Sequence, residues 1–504
     1  MIARIVCLLS LIVSVAKADP QLSSWLTQWT GNYARVYLTD ADVSSNTTYT
    51  TWSRNTMTQS LPTYAGASEV SYSADYVYIR TTGLAPYVMG PWYNGTGHVT
   101  LFPNVPTNLA TIYRIPRTPV QPTNKVATLA GFNGLFVDGV AMFDMRDVFS
   151  VADPTGTESS TTGLKIWNRD ATVIEGVTFD PAFAHSQGAG MYHYHSNPRG
   201  VRYLLGDNML YNATTKAYSE NTANTNLKHS PIIGWVRDGY PMYGPYGYSS
   251  AMNPNSAIRR MVSGYVLRNG QNGTENLSST GRVRIPNWAV RSQGGLYATL
   301  DSTQYGPAVS GTRALGRYIE DNDYLGDLVN PSTGSSYVQG ADFDLDEFNG
   351  RFCVTPEFPG GTYAYFVSIN ADGTPKFPYY LGRMYYSRPL GGVVTSITEA
   401  VTVLFSGGPK KTLATDAPSI NSANGNVSLT WSAIDGGTYT VETSSNLSTW
   451  STLGTSAPAT QTLAPTPSAT RTITDPGAAF GGALKFYRVQ RTAIATFDSS
   501  GFGP

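Results

Sequence analysis

Four of the five histidines in this 504-residue chain lie within one short stretch: His185, His193, His195 and His229. Imidazole is the commonest protein ligand of transition metals, and it binds zinc at about 2.0–2.1 Å. The order Tyr192-His-Tyr-His195 favours a strand, in which alternate residues point to the same face. We therefore predict that His193 and His195 converge on one ion or serve two neighbouring ions.

Further residues near this pair could complete such a site. His185 precedes His193 by a glycine-rich stretch that can fold back, so we predict it as a third ligand. We predict His229 as a fourth ligand and Asp238 as a second-shell acceptor that fixes an imidazole tautomer. Tyr192 and Tyr194 should share the opposite face of the strand, where two phenols can pack and form hydrogen bonds, and we predict that they support the metal ligands from there.

The type of ligand limits the choice of ion. A site of imidazoles without a thiolate suits copper or zinc best and nickel or iron less well, and it disfavours calcium. Cys353 is the only cysteine outside the first seven residues. We therefore predict a copper or zinc cofactor and a fold that relies on a large core instead of a disulfide.

The first 18 residues have the pattern of a secretory signal peptide. An apolar stretch from Ile5 to Val15 precedes Ala16-Lys17-Ala18, which has the small residues that signal peptidase prefers. We predict cleavage after Ala18 and a secreted or periplasmic protein. No later segment approaches the ~20 apolar residues of a spanning helix, so we predict no transmembrane segment.

The composition favours a mostly β fold without a nucleic-acid partner. The 34 Lys and Arg residues balance 34 Asp and Glu residues, whereas nucleic-acid-binding domains carry a basic excess. Tyr (33), Gly (50) and Pro (31) are abundant, which favours strands joined by tight turns. Short helices are expected only at 322–328 and 393–403.

A change of composition divides the chain. We predict a signal peptide at 1–18, a large β-rich region at 19–405, a linker at 406–411 and a small β-sandwich at 412–504. In the last segment, short alternating stretches are separated by turn signals such as Asp435-Gly-Gly437. It resembles the fibronectin-like or immunoglobulin-like modules of secreted bacterial proteins.

The larger region resembles a known family. Tyr192-His-Tyr-His195 is followed by His229-Ser-Pro-Ile-Ile-Gly234 and Asp238-Gly-Tyr-Pro-Met-Tyr-Gly-Pro245. These blocks resemble the YHYH-domain family of mostly bacterial secreted proteins. The resemblance covers roughly 70–390, with a domain core at about 125–390, and names no reaction. Many members have Cys-Gly before the histidine equivalent to His185, where this chain has Phe183-Ala184, so no thiol is available there.

One acidic run needs a separate interpretation. Asp342-Phe-Asp-Leu-Asp-Glu-Phe-Asn349 offers carboxylates, but an EF-hand requires Gly and Glu at positions where this chain has Glu347 and Cys353. We expect a solvated strand edge, with a calcium site of another kind as the alternative.

Three functions fit these observations. The leading one is a metal-binding YHYH domain, catalytic or not, whose attached module acts as a spacer or contacts cell-surface or polysaccharide components. The alternative is a structural or adhesion protein whose histidines only form hydrogen bonds; imidazoles within ~4–5 Å of one another would favour the metal. A metal-independent carbohydrate-active enzyme would need two carboxylates roughly 5–10 Å apart. The nearest candidates for that pair are Asp144, Asp147, Glu175 and Asp180.

Overall fold

The computed structural model describes residues 19–27, 33–160, 165–406, 411–413, 415, 417–433, 438–456, 469–481 and 484–493. Strands predominate and the helices are short, which confirms the prediction of a mostly β protein. The predicted signal peptide and residues 407–410 of the predicted linker lie outside the described residues. No helix of the described segments is long and apolar enough to cross a bilayer.

An eight-stranded mixed sheet forms the centre of the larger region. In spatial order its strands are Ala184–Ser186, Tyr192–Tyr194, Ala141–Met142, Gly134–Phe136, Ile232–Val236, Pro241–Tyr243, Thr362–Phe366 and Gly350–Cys353. The histidine-bearing strands stand at one edge. Strand Tyr192–Tyr194 pairs antiparallel with Ala184–Ser186 and parallel with Ala141–Met142.

A second sheet has five antiparallel strands. In spatial order they are Gly392–Val394, Thr111–Pro116, Tyr76–Thr81, Ala67–Tyr72 and Thr402–Ser406. Both faces of the strand Tyr76–Thr81 are covered, because the consecutive residues Val77, Tyr78 and Ile79 are all buried. The helix expected at 393–403 was wrong, since strands occupy both ends of that segment.

The remaining elements of the larger region are short. The other strands are Arg35–Val36, Trp52–Arg54, Met57–Gln59, Val88–Met89, Tyr93–Asn94, Thr100–Leu101, Arg146–Val151, Glu158–Ser159, Asn168–Asp170, Met209–Asn212, Ala217–Glu220, Tyr246–Tyr248, Ile258–Arg260, Tyr265–Leu267 and Asn322–Tyr324. The α-helices are Pro20–Ser23, Asp40–Ser45, Ala171–Glu175, Arg199–Leu204, Leu277–Thr280 and Asn287–Ser292. The 3-10 helices are Gly176–Thr178, Ile319–Asp321, Leu325–Asp327 and, near the C-terminus, Ala478–Phe480.

The segment after 410 contains two small sheets. One has the order Lys411–Leu413, Phe486–Ala493, Thr438–Ser444 and Ser451–Ser456, and the other has Ser419–Asn421, Asn426–Ala433 and Ala469–Asp475. Residues of both sheets form one small buried cluster: Leu429, Trp431, Tyr439, Val441 and Val489. The fibronectin-like or immunoglobulin-like assignment of this segment stays a prediction.

The larger region has a core that suits a chain without disulfide support. Five of its tryptophans are fully or almost fully buried: Trp25, Trp92, Trp167, Trp235 and Trp288. The thiol of Cys353 is buried and free. Buried ion pairs add to this core, such as Arg202 with Asp207 at 2.6 Å and with Glu220 at 2.9 Å.

The acidic run at 342–349 is not a solvated strand edge. Asp344 is buried and accepts from both terminal nitrogens of Arg259, at 2.6 and 2.8 Å. Asp346 accepts from two backbone N–H groups and from the hydroxyl of Tyr363. These partners occupy the carboxylate oxygens that a calcium ion would need.

Candidate metal centre

The strand predicted around Tyr192-His-Tyr-His195 is present as Tyr192–Tyr194. It forms an antiparallel pair with Ala184–Ser186, and His185 lies directly opposite His193. We call these two strands and their connecting loop the histidine hairpin. Because cross-strand neighbours share a face, this register places three imidazoles together: His185, His193 and, two positions on, His195.

Gly190 allows the hairpin to turn. Its N–H donates to the carbonyl of Gln187 at 2.8 Å, and its φ is +80°. A Cβ atom at this position would lie 2.2 Å from Oγ1 of Thr107. The backbone conformation and the neighbouring side chain therefore both require glycine.

The three imidazoles converge through their Nε2 atoms. His193 Nε2 lies 3.1 Å from His185 Nε2 and 3.0 Å from His195 Nε2. All three side chains are buried, and their candidate ligand atoms lie within 4.8 Å of one another. Neighbouring ligands of one ion with bonds of about 2.0–2.1 Å lie about 3.0–3.4 Å apart. The two Nε2–Nε2 distances match this spacing, and the grouping of all three imidazoles within 4.8 Å meets the ~4–5 Å criterion that favours a metal over scattered structural histidines.

The partners of two Nδ1 atoms fix the tautomers. Nδ1 of His193 lies 2.9 Å from the carbonyl oxygen of Met191, and Nδ1 of His195 lies 2.6 Å from that of Asp144. A carbonyl oxygen only accepts, so both Nδ1 atoms carry the proton and donate it. In the neutral ring, each Nε2 then presents a lone pair to the cluster.

Thr178 sets the third tautomer through a two-step chain. Its hydroxyl donates to the carbonyl oxygen of Glu175 at 2.7 Å, so it can only accept from Nδ1 of His185, which is also 2.7 Å away. Nε2 of His185 therefore also presents a lone pair to the cluster. Hydrogen bonds on the outer nitrogens orient all three rings, as is common for histidines that bind metals.

A carboxylate completes the cluster. Oε2 of Glu175 lies 3.1 Å from Nε2 of His195 and 3.4 Å from Nε2 of His185. Glu175 ends the short helix Ala171–Glu175, whose first turn is capped by Asp170 through the N–H of Val173.

The charge states leave the cluster short of protons. Burial alone would raise the pKa of Glu175, but the neighbouring imidazoles of His185 and His195 hold that pKa well below its usual range. Burial opposes a charge on His195, yet Glu175 raises its pKa, so one proton can lie between these two side chains. Burial lowers the pKa of His185, and burial with the neighbouring imidazoles lowers that of His193 well below its ordinary value. The lone pairs of His185 and His193 still face each other, and a metal cation held by the three imidazoles would satisfy both.

The cluster forms part of the wall of a cavity of about 570 Å³. Glu175, His185, His193 and His195 all line it. Aromatic rings hold two of the imidazoles, since Phe143 stacks on His193 with centroids 3.8 Å apart and Phe102 stacks on His185 at 5.6 Å. The volume lies in the range of small-molecule sites.

Comparison with known proteins identifies the domain. The YHYH protein family matches residues 112–380, which is more than half of the chain. The chain belongs to the YHYH protein family. Searches of curated proteins and of solved structures found no match.

The tyrosines of the YHYH motif lie behind the histidines. Tyr192 donates to Asp180 at 2.6 Å, and Tyr194 donates to Asp138 at 3.3 Å. Both phenols also form hydrogen bonds with the buried Tyr87. Tyr192 and Tyr194 were predicted to support the site, and the structure places them on the opposite face of the strand, where they join this buried network.

His229 lies in the YHYH domain but outside the cluster of His185, His193 and His195. Its Nδ1 lies 2.8 Å from the carbonyl oxygen of Ser230, and its ring packs among Tyr243, Tyr248 and Phe366. Burial lowers its pKa to about 4, so the ring is neutral near pH 7. The structure thus brings three of the four predicted ligands together.

Asp238, predicted as a second-shell acceptor, contacts other groups. Its Oδ2 accepts from the hydroxyl of Tyr365 at 2.7 Å and from the N–H of Ser387 at 2.9 Å. The groups that do orient the imidazoles are Thr178 and the carbonyls of Met191 and Asp144. From the sequence, Glu175 was predicted only as a possible carboxylate of a carbohydrate-active enzyme, and no sequence pattern indicated Thr178.

Proposed function

We propose that the YHYH domain is a metal-binding domain that holds a copper or zinc ion through His185, His193 and His195, with the carboxylate of Glu175 as an additional ligand. Three imidazoles and one carboxylate are borderline donors of the kind that these ions accept. Glu175 takes the place of His229 in the ligand set predicted from the sequence.

One observation carries this proposal. The Nδ1 partners of His185 and His193 leave both of their Nε2 atoms unprotonated, so two buried acceptors face each other at 3.1 Å. Buried acceptors without donors are costly, and a structural role would favour alternating donors and acceptors. The alternative of a structural or adhesion protein gives no reason for this arrangement.

The cavity beside the cluster favours a metal centre that a second molecule can reach. A metal ion held here would polarise a bound oxygen or lower the pKa of a water molecule. A purely structural site is closed on all sides by protein ligands, whereas all four proposed ligands line a cavity of about 570 Å³. We therefore favour a ligand-accessible centre over a closed one.

The wider setting is part of the proposal. We propose a secreted or periplasmic location after removal of residues 1–18, and domains at 19–405 and 412–504 joined by a linker at 406–411. The C-terminal segment would be a fibronectin-like or immunoglobulin-like spacer that contacts cell-surface or polysaccharide components. The apolar N-terminal stretch and the second small core support this division.

Metal content tests the proposal. The mature chain, purified without a histidine tag, is analysed by elemental mass spectrometry beside the His193→Ala/His195→Ala variant. His98→Ala is the matched control, because this exposed imidazole pairs with Asp40 outside the cluster. We expect near-stoichiometric copper or zinc in the wild type and in the control, and almost none in the double variant.

Circular dichroism checks that the double variant retains the wild-type fold. A wild-type chain that takes up neither ion after supplementation would refute the proposal. A folded double variant that retains the full metal content would also refute it, because the ion would then bind elsewhere.

A further inference from the structure

The cavity over the histidines has mostly apolar walls. Phe132, Phe143, Phe149 and Met191 line it, and Val393 lies at its surface with 53% of its side chain exposed. Apolar walls with a few polar groups at one end are typical of small-molecule sites. The polar groups of this lining include the cluster of histidines and Glu175.

The charged side chains of the wall are already paired. Arg146 donates to Asp144 at 2.6 Å, and Asp147 accepts from Arg169 at 2.7 Å. Glu175, the remaining charged side chain in the lining, faces His185 and His195. A charged ligand body would therefore find no free counter-ion on the described wall, and burying it would be costly.

One wall residue has an unusual backbone conformation. Val148 has a φ of +69°, a region that β-branched residues rarely occupy. Its side chain is 52% exposed and lines the cavity, so packing in the core does not account for it. Non-glycine residues in strained conformations cluster at ligand and active sites.

The neighbouring residues hold this conformation in place. Oδ1 of Asp147 accepts from the N–H of Phe149 at 2.9 Å, which closes a turn around Val148. The guanidinium of Arg169 lies 4.4 Å from the ring centre of Phe149. The strand Arg146–Val151 also loses its regular register at this point, and such bulges redirect side chains next to functional sites.

We propose that this cavity binds an organic ligand with an apolar, uncharged body, and that Val148 is a specificity-determining residue on its wall. The ligand would direct an oxygen or nitrogen atom toward the histidines. This proposal depends on the proposed metal centre only for the binding partner of that oxygen or nitrogen atom. The apolar walls and the conformation of Val148 are present whether or not a metal is bound.

Two neutral probes of similar size test the inference. Saturation-transfer NMR measures the binding of benzyl alcohol and of xylose to the full mature chain, before and after saturation with zinc. Both probes carry hydroxyl groups, but only benzyl alcohol has an apolar body. We expect benzyl alcohol to bind at least about tenfold more tightly than xylose, since burial of apolar area supplies the affinity.

The Val148→Asn variant tests the specificity role. Asn adopts positive φ more readily than Val, so the melting temperature should equal or exceed that of the wild type. The affinity for benzyl alcohol should fall about threefold to tenfold, in line with the loss of part of one valine contact. Val338→Asn is the matched control, since this valine is 56% exposed and does not line the cavity, and it should leave the affinity unchanged.

Either of two results would overturn the inference: xylose binds as tightly as benzyl alcohol, or Val148→Asn binds benzyl alcohol like the wild type. Failure of the metal proposal would look different. It would appear as a chain that takes up no zinc, and binding of benzyl alcohol measured without metal would be unaffected.

Discussion

Thr178 offers a sharp test of how the imidazoles are oriented. Its hydroxyl accepts from Nδ1 of His185 and donates to the carbonyl oxygen of Glu175, each at 2.7 Å. Thr178→Val keeps the side-chain shape and removes both hydrogen bonds. His185 then has a buried N–H without an acceptor and can turn its ring or change its tautomer.

The size of the effect follows from these contacts. Loss of a buried hydrogen bond that leaves its partner unsatisfied costs about 1–3 kcal/mol, and loss of a group that orients a metal-binding histidine typically costs about 10- to 100-fold in metal affinity. We expect Thr178→Val to lower the free energy of unfolding by about 2 kcal/mol. Its affinity for zinc or copper should fall by at least about tenfold.

The assays are urea denaturation of the metal-free chain and titration of metal against a chromophoric chelator. Thr178→Ser is the matched control, because it keeps the hydroxyl and loses only a methyl group, so its metal affinity should stay within about threefold of the wild type. If Thr178→Val binds the ion as tightly as the wild type, or if Thr178→Ser is as weak as Thr178→Val, the assigned tautomers are incorrect.

Three further predictions concern stability. Gly190→Ala should cost at least about 2 kcal/mol in urea denaturation, because a left-handed φ is unfavourable for alanine and its Cβ would meet Thr107; a cost below about 0.5 kcal/mol would contradict this. Arg202→Met should destabilise the fold by about 3–5 kcal/mol, because it leaves the buried carboxylates of Asp207 and Glu220 without their cation; an unchanged unfolding midpoint would contradict this. Burial raises the pKa of Asp346 to about 7, so its contribution to stability falls as pH rises from about 4 to about 7. Between pH 5 and pH 7.5, the wild type should therefore lose about 2 kcal/mol more stability than Asp346→Asn, and parallel pH profiles of the two proteins would contradict this assignment.

Local patterns predicted the centre of the site. The alternation of Tyr192-His-Tyr-His195 depends only on strand geometry, so the shared face of His193 and His195 could be predicted. His185 could be included because a glycine-rich stretch of this length allows a hairpin. The mostly β character followed from composition in the same way.

Contacts between distant elements could not be predicted. His229 has the same side chain as the clustered histidines, but it precedes the strand Ile232–Val236, which two strands separate from Tyr192–Tyr194 in the central sheet. Its ring packs among Tyr243, Tyr248 and Phe366. Glu175 reaches the histidines from a separate helix, which a short sequence pattern does not place. The acidic run was assigned to a solvated edge for a similar reason, since its partner Arg259 is remote in sequence.

X-ray absorption spectroscopy of the metal-loaded mature chain identifies the atoms that bind the ion. A centre formed by His185, His193, His195 and Glu175 should give about three imidazole ligands and at least one further oxygen at about 2.0–2.1 Å for zinc, with no sulfur ligand. In Glu175→Ala the imidazole contribution should remain, because the hydrogen bonds to Met191 and Asp144 still orient His193 and His195. A spectrum with a single imidazole, or with a sulfur ligand, would contradict this set of ligands.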